Sequence, residues 1–155
     1  MPSHVKIFAA LGFFAVAYSI FSTAWSMAFP PAHYLAMLAR LPAYQAADAR
    51  HMDLLNRGAI TAFLAILTSL LIWLATFRRS NTARWAYALL FALRQFVPPL
   101  ILLLRSWDYA ALILKDYLDD LSNVRFYIAV VPVIAAIGFS FTGNANAWFR
   151  SRAAN

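Results

Sequence analysis

The chain has no cysteine and no glutamate, and only four of its 155 residues are glycine. Without thiols there is no disulfide, thiolate metal site, cysteine nucleophile or sulfur-linked lipid to consider. Every acid is an aspartate, at Asp48, Asp53, Asp108, Asp116, Asp119 and Asp120. No phosphate-cradling Gly-rich loop is present, and no Ser-His-Asp pattern has local support. Charge is scarce as well: 12% of residues are charged against 63% hydrophobic, and the mean hydropathy is +0.65. That balance excludes a soluble globular domain.

What is present is long apolar sequence. Four stretches, residues 7–29, 59–77, 85–104 and 126–141, have the length or nearly the length of a membrane span, which needs about 17–25 mostly apolar residues. The last reaches that length when extended to 124. Backbone groups in hydrocarbon must be paired within the segment, so such runs are helices. A β-barrel would show roughly ten-residue stretches of alternating polarity, and none occurs. The expected fold is all-α: a polytopic membrane protein forming a single four-helix transmembrane domain over residues 1–155. Ser26-Met27-Ala28 resembles a small-x-small cleavage site, but the first apolar run exceeds the roughly 7–15 residues of a signal peptide's core. The expectation is a retained helix.

A net charge of +7 and a pI near 10.3 would point to nucleic acid in a soluble protein. Here basic residues flank the spans and face anionic headgroups, so the expected partner is the bilayer and not nucleic acid. Four spans put both termini on one side, with six basic residues on each side of the membrane. The tight turn at 77–85 holds Arg78, Arg79 and Arg84 with no acid, and all six Asp fall on the opposing side. Both termini are therefore expected in the cytoplasm. In 107–121, apolar residues recur every three or four positions beside Asp108, Lys115, Asp116, Asp119 and Asp120, the pattern of an interfacial amphipathic helix. A weaker one is expected over 30–45, ended by Pro42. The tail, 142–155, carries Trp148, Phe149, Arg150 and Arg152, residues suited to a headgroup layer.

The sharpest chemical feature is Arg94, at the middle of the third span beside Gln95. Placing Arg at a helix centre costs about 2.5–3.5 kcal/mol on translocon scales, and no span contains an Asp to pair with it. Pro98-Pro99 removes two backbone donors, so the third helix is expected to kink or split there. Small and hydroxylic stripes on the first span (Ala15, Ser19, Ser22, Thr23, Ser26) and the second (Thr61, Ala65, Thr68, Ser69, Thr76) suit close helix packing. His33, Asp48, His51 and Asp53 lack metal-ligand spacing, so neither a metal nor another cofactor is expected. Asp116, Asp119 and Asp120 form an acidic face suited to docking a basic partner.

The stretch Trp73-Leu74-Ala75-Thr76-Phe77-Arg78-Arg79-Ser80-Asn81-Thr82-Ala83-Arg84-Trp85, together with Phe141-Thr142-Gly143-Asn144-Ala145-Asn146-Ala147-Trp148-Phe149-Arg150, resembles the basic hairpin turn and closing tail of small uncharacterised four-helix inner-membrane proteins of bacteria. The resemblance covers about a quarter of the chain. It implies bacterial origin, the span count and inward-facing termini, and it implies no activity. The expected function is a non-enzymatic accessory, assembly or scaffold subunit, binding a larger membrane complex or a second copy. Arg94, Gln95, Pro98 and Pro99 would form its contact or ligand site. Arg78, Arg79, Arg84, Trp85, Trp148 and Arg150 would anchor it at the lipid interface, with an anionic lipid as a further ligand. The alternative is a homo-oligomeric transporter or channel for a small anion, with Arg94 as the midplane charge.

Overall fold

Long runs of Ala, Leu, Ile and Phe favour helix wherever the backbone must pair with itself. The computed structural model describes residues 1–30, 32–105 and 124–150, and every element in them is an α-helix. In chain order these are α1 (Ser3–Ala28), α2 (Ala32–Leu38), α3 (Ala43–Arg78), α4 (Asn81–Arg105), α5 (Val124–Phe141) and α6 (Gly143–Arg150). Among the described residues, α1, α3 and α5 are long and apolar enough to cross a membrane. α3 and α5 contain the second and fourth predicted spans, and α1 covers all but the last residue of the first. The third predicted span lies within α4, a helix of 25 residues, about 37 Å at 1.5 Å per residue.

One boundary differs from the sequence reading. Pro42 does not end an interfacial helix. α2 stops at Leu38, and α3 starts directly after Pro42, whose carbonyl accepts the Ala46 N–H at 2.9 Å. Proline lacks an N–H and suits a helix start, where that donor has no partner anyway. The predicted connection before the second span is therefore mostly helix, and α3 reaches 36 residues, about 54 Å. That length exceeds a hydrocarbon core of about 30 Å. At Pro98-Pro99, where a kink or a split was expected, α4 continues without splitting. Each proline removes one backbone donor and crowds the carbonyl four residues back, a strain that a helix can absorb by bending as well as by breaking. The predicted helix at 107–121, with Asp116, Asp119 and Asp120, lies outside the described residues.

Contacts group the chain into two compact units, Met1–Ala15 with Ser69–Asn155, and Val16–Thr68. In the first unit the core draws on five helices. Val5, Phe8 and Gly12 come from α1, Ile72, Ala75 and Thr76 from α3, and Ala83, Arg84 and Tyr87 from α4. Ala136 and Ser140 of α5 and Ala145 and Phe149 of α6 complete it. Phe8 meets Tyr87 edge-on, with ring centroids 5.5 Å apart. In the second unit the two hydroxylic stripes meet: Thr23 Oγ1 and Thr61 Oγ1 are 3.2 Å apart, and Ser26 Oγ donates to the Thr23 carbonyl at 2.8 Å. Large apolar side chains such as Phe14, Phe21, Phe63, Ile66, Val131 and Ile134 stand exposed along the three span-length helices, a surface that hydrocarbon is suited to cover.

The α5–α6 junction turns at Gly143, whose φ is +53°. A Cβ there would lie 2.7 Å from His4 Cε1 and 2.8 Å from His4 Nδ1, while His4 Nδ1 sits 3.4 Å from the Thr142 carbonyl oxygen. Gly143→Ala combines a left-handed penalty of about 1–2 kcal/mol with displacement of His4. Thermal melts in detergent are expected to show a loss of roughly 1–3 kcal/mol. A melt unchanged from wild type would mean that the junction does not hold this turn.

Candidate functional site

The sequence signals that carried the resemblance meet at one place in the first unit. α3 ends at Arg78, and Arg79 takes the left-handed conformation at φ +53°. The Ser80 N–H reaches back to the Leu74 carbonyl at 3.2 Å, and Ser80 Oγ accepts the Ala83 N–H at 3.1 Å. That hydroxyl satisfies one of the orphan donors at the start of α4. Only two residues separate the helices, so Arg84 falls in the first turn of α4.

Arg84 is 3% exposed. Its Nη1 donates to the Ser140 carbonyl at 2.9 Å and lies 3.4 Å from Asn146 Oδ1. Ser140 is the penultimate residue of α5, so its carbonyl has no partner within that helix and stands at the negative end of the helix dipole. A buried guanidinium therefore caps α5 while binding α6 through Asn146. The same cation lies 4.2 Å from the Phe141 ring centroid and 4.8 Å from that of Phe149. Each such contact is worth about 0.5–1 kcal/mol when exposed and about 2 when desolvated. The sequence reading took Arg84 as a surface anchor, whereas the structure places it inside the helix junction.

The neighbouring cations behave differently. Arg79 is exposed, with its guanidinium carbon 3.6 Å from the Trp148 ring centroid. Arg78 is exposed too and lies 5.8 Å from that of Trp73. Trp85 is 57% exposed and stacks edge-on against Phe141 at 4.5 Å. Arg150 ends α6, and its side chain lies outside the description. Five of the six predicted anchors thus have described side chains, all in one unit, with Arg84 the buried one. Phe141 and Asn146 belonged to the quoted tail without a role, and Phe149, expected at a headgroup layer, is 2% exposed; the structure places all three around Arg84.

Arg94 lies on α4 and is exposed, and beside it Gln95 is half-buried. Among the described residues of α4, the buried ones, Ala83, Arg84 and Tyr87, all lie in its first two turns. Leu93 and Arg94 are both exposed, although they point about 100° apart on the helix. At this level α4 turns a broad face outward. The side chains of Pro98 and Pro99 fall outside the description.

The second unit holds a smaller polar group. Arg57 Nε donates to Asp53 Oδ1 at 2.8 Å, and the guanidinium lies 5.7 Å from the Tyr34 ring centroid. Desolvation, and then the hydrogen bond to Asp53, raise the Tyr34 phenol above its ordinary value. With Ser26, Met27, Pro30, Arg50 and Leu54 these residues line a shallow cleft with room for about one water molecule. Among the described residues no group of three or more His, Cys, Asp or Glu could hold a metal ion. Asp53, considered above as a ligand, is engaged by Arg57 instead.

No protein-family model, curated protein or solved structure matches the chain.

Proposed function

We propose that this protein is a non-enzymatic accessory, assembly or scaffold subunit. It sits in the inner membrane of a bacterium, crosses it with α1, α3, α4 and α5, and keeps both termini in the cytoplasm. It associates through the outward face of α4 with a larger membrane complex or with a second copy of itself. The observation that carries this reading is Arg94: exposed, midway along a 25-residue helix, with exposed Leu89, Leu93 and Leu100 on the same helix. A lone guanidinium turned toward hydrocarbon is costly, by about 2.5–3.5 kcal/mol on insertion scales. An acid or carbonyl on a partner helix relieves that cost. The absence of buried side chains beyond the first two turns of α4, among its described residues, is in keeping with a face that something else covers. The basic turn at Arg78, Arg79 and Arg84 supports the cytoplasmic placement of the termini.

The test is gentle extraction from native membranes followed by mass spectrometry of the intact assembly, for wild type and Arg94→Leu. A stoichiometric partner, or a second copy, that disappears in the variant is the expected result. A wild-type protein that is monomeric, with a variant indistinguishable from it, would overturn the proposal. An Arg94-dependent homo-oligomer whose proteoliposomes take up a small anion, with uptake lost in Arg94→Ala, would replace it with transport.

A further inference from the structure

The basic end of the first unit has a feature that helix formation alone does not require. Helices commonly end on a glycine in the left-handed region, because other residues meet a steric penalty there. Here the residue following α3 is Arg79, with φ +53°. A strained non-glycine conformation held in place by its surroundings is a pointer toward function. The turn is closed by the Ser80 N–H bonding back to the Leu74 carbonyl at 3.2 Å, and it sets the Arg79 guanidinium over the Trp148 indole, 3.6 Å from the ring centroid. That contact seats the cation over a ring while the side chain stays exposed, so its N–H donors can meet a planar or tetrahedral oxyanion.

Among the described residues of the first unit, charge is of one sign. Arg78 is exposed beside Arg79, Lys6 is exposed on α1, and α1 reaches the α5–α6 junction through His4. The described residues of this unit contain no acid at all. Trp73 and Trp85 flank the turn, and indole rings favour the headgroup layer of a bilayer.

We infer that Arg79, seated on Trp148 and assisted by Arg78, forms a docking site for the phosphate of anionic phospholipid headgroups. The inference rests on the reading of the chain as membrane-spanning. Arg84 does not contact the lipid; it is a positioning residue that holds α6, and hence Trp148, against the turn. One surface cation is expected to favour anionic lipid by about fivefold.

The informative variant is Arg79→Gly, because glycine suits the left-handed turn and keeps the fold while deleting the cation. Intact full-length protein in mild detergent is titrated with phosphatidylglycerol and, separately, phosphatidylcholine, and bound lipid is counted by native mass spectrometry. Wild type is expected to prefer phosphatidylglycerol by about fivefold or more. Arg79→Gly is expected to lose most of that preference while melting at the same temperature or higher. Equal binding of both lipids by wild type, or an undiminished preference in Arg79→Gly, would overturn the site. Displacement of phosphatidylglycerol by millimolar inorganic phosphate, itself retained by the protein, would also overturn it by making the ligand free phosphate. Carbonate extraction of native membranes separates the two levels of the argument. A chain released by carbonate refutes the membrane reading, whereas a retained chain without lipid preference refutes only the Arg79 site.

Discussion

Arg84→Ala is expected to destabilise the protein by about 3 kcal/mol, seen as a fall of roughly 6–12 °C in melting temperature. The substitution removes a side chain that is 3% exposed and leaves space between Phe141 and Phe149. It takes the donor from the Ser140 carbonyl, at 2.9 Å, and from Asn146. A buried acceptor without its donor costs about 1–3 kcal/mol, and the desolvated cation–ring contacts are lost besides. Two further variants divide the effect. Arg84→Met keeps much of the volume but no donor, and Arg84→Lys keeps a charge and donors but loses the planar guanidinium that lies against Phe141 and Phe149. Both are expected to fall between wild type and Arg84→Ala. Tryptophan fluorescence melts in detergent read the result, helped by Trp85 and Trp148 lying next to the cluster. An Arg84→Ala protein melting within a degree or two of wild type would show that the junction is held by α6 packing alone.

Gly12→Leu is expected to damage the same unit from its other side. A Cβ at Gly12 would already stand 2.8 Å from Ile72 Cδ1 and 3.2 Å from Ile72 Cγ1, with the Tyr87 hydroxyl at 3.7 Å. Ile72 can yield its terminal methyl, so Gly12→Ala is tolerable. Leucine adds three more carbons where Ile72 is fully buried and Tyr87 is 3% exposed. Overpacking of this kind costs about 1–3 kcal/mol and sometimes more, because α1 must move away from α3 and α4. Gly138 is the control: a Cβ there meets nothing within 4 Å. Gly138→Ala is expected to leave the melt unchanged or raise it slightly, by up to about 1 kcal/mol from helix propensity. Equal losses for Gly12→Leu and Gly138→Ala would remove the close α1 packing from the account.

The spans were legible because hydrocarbon accepts only one kind of sequence. The run predicted over 126–141 and extended to 124 is α5, Val124–Phe141, and 7–29 is α1 within a few residues. The start of α3 was missed for the complementary reason. Residues 43–58 carry Gln45, Asp48, Arg50, His51, Asp53 and Arg57, so hydropathy reads them as a loop. Their alanines and leucines, following Pro42, were the available helix signal. Arg84 shows a different limit. Its neighbours in sequence, Ala83 and Trp85, give no sign of burial. The acceptors lie 56 and 62 residues away, and they converge only because α6 turns back at Gly143. Small residues at Ala83, Ser140 and Ala145 make the room for it, a signal that becomes readable once the helices are known to meet. Arg94, by contrast, stood out from sequence alone, since a charge amid an apolar run is conspicuous wherever it points.

The separation between Arg84 and its acceptors also orders events during synthesis. Ser140 leaves the ribosome 56 residues after Arg84, a delay of several seconds at about 5–20 residues per second. Throughout that interval the guanidinium has neither the α5 carbonyl nor the α6 rings, and headgroups or water must solvate it. The Arg84 clamp is therefore a late latch: it can close only on a nascent chain whose last described helix has already emerged.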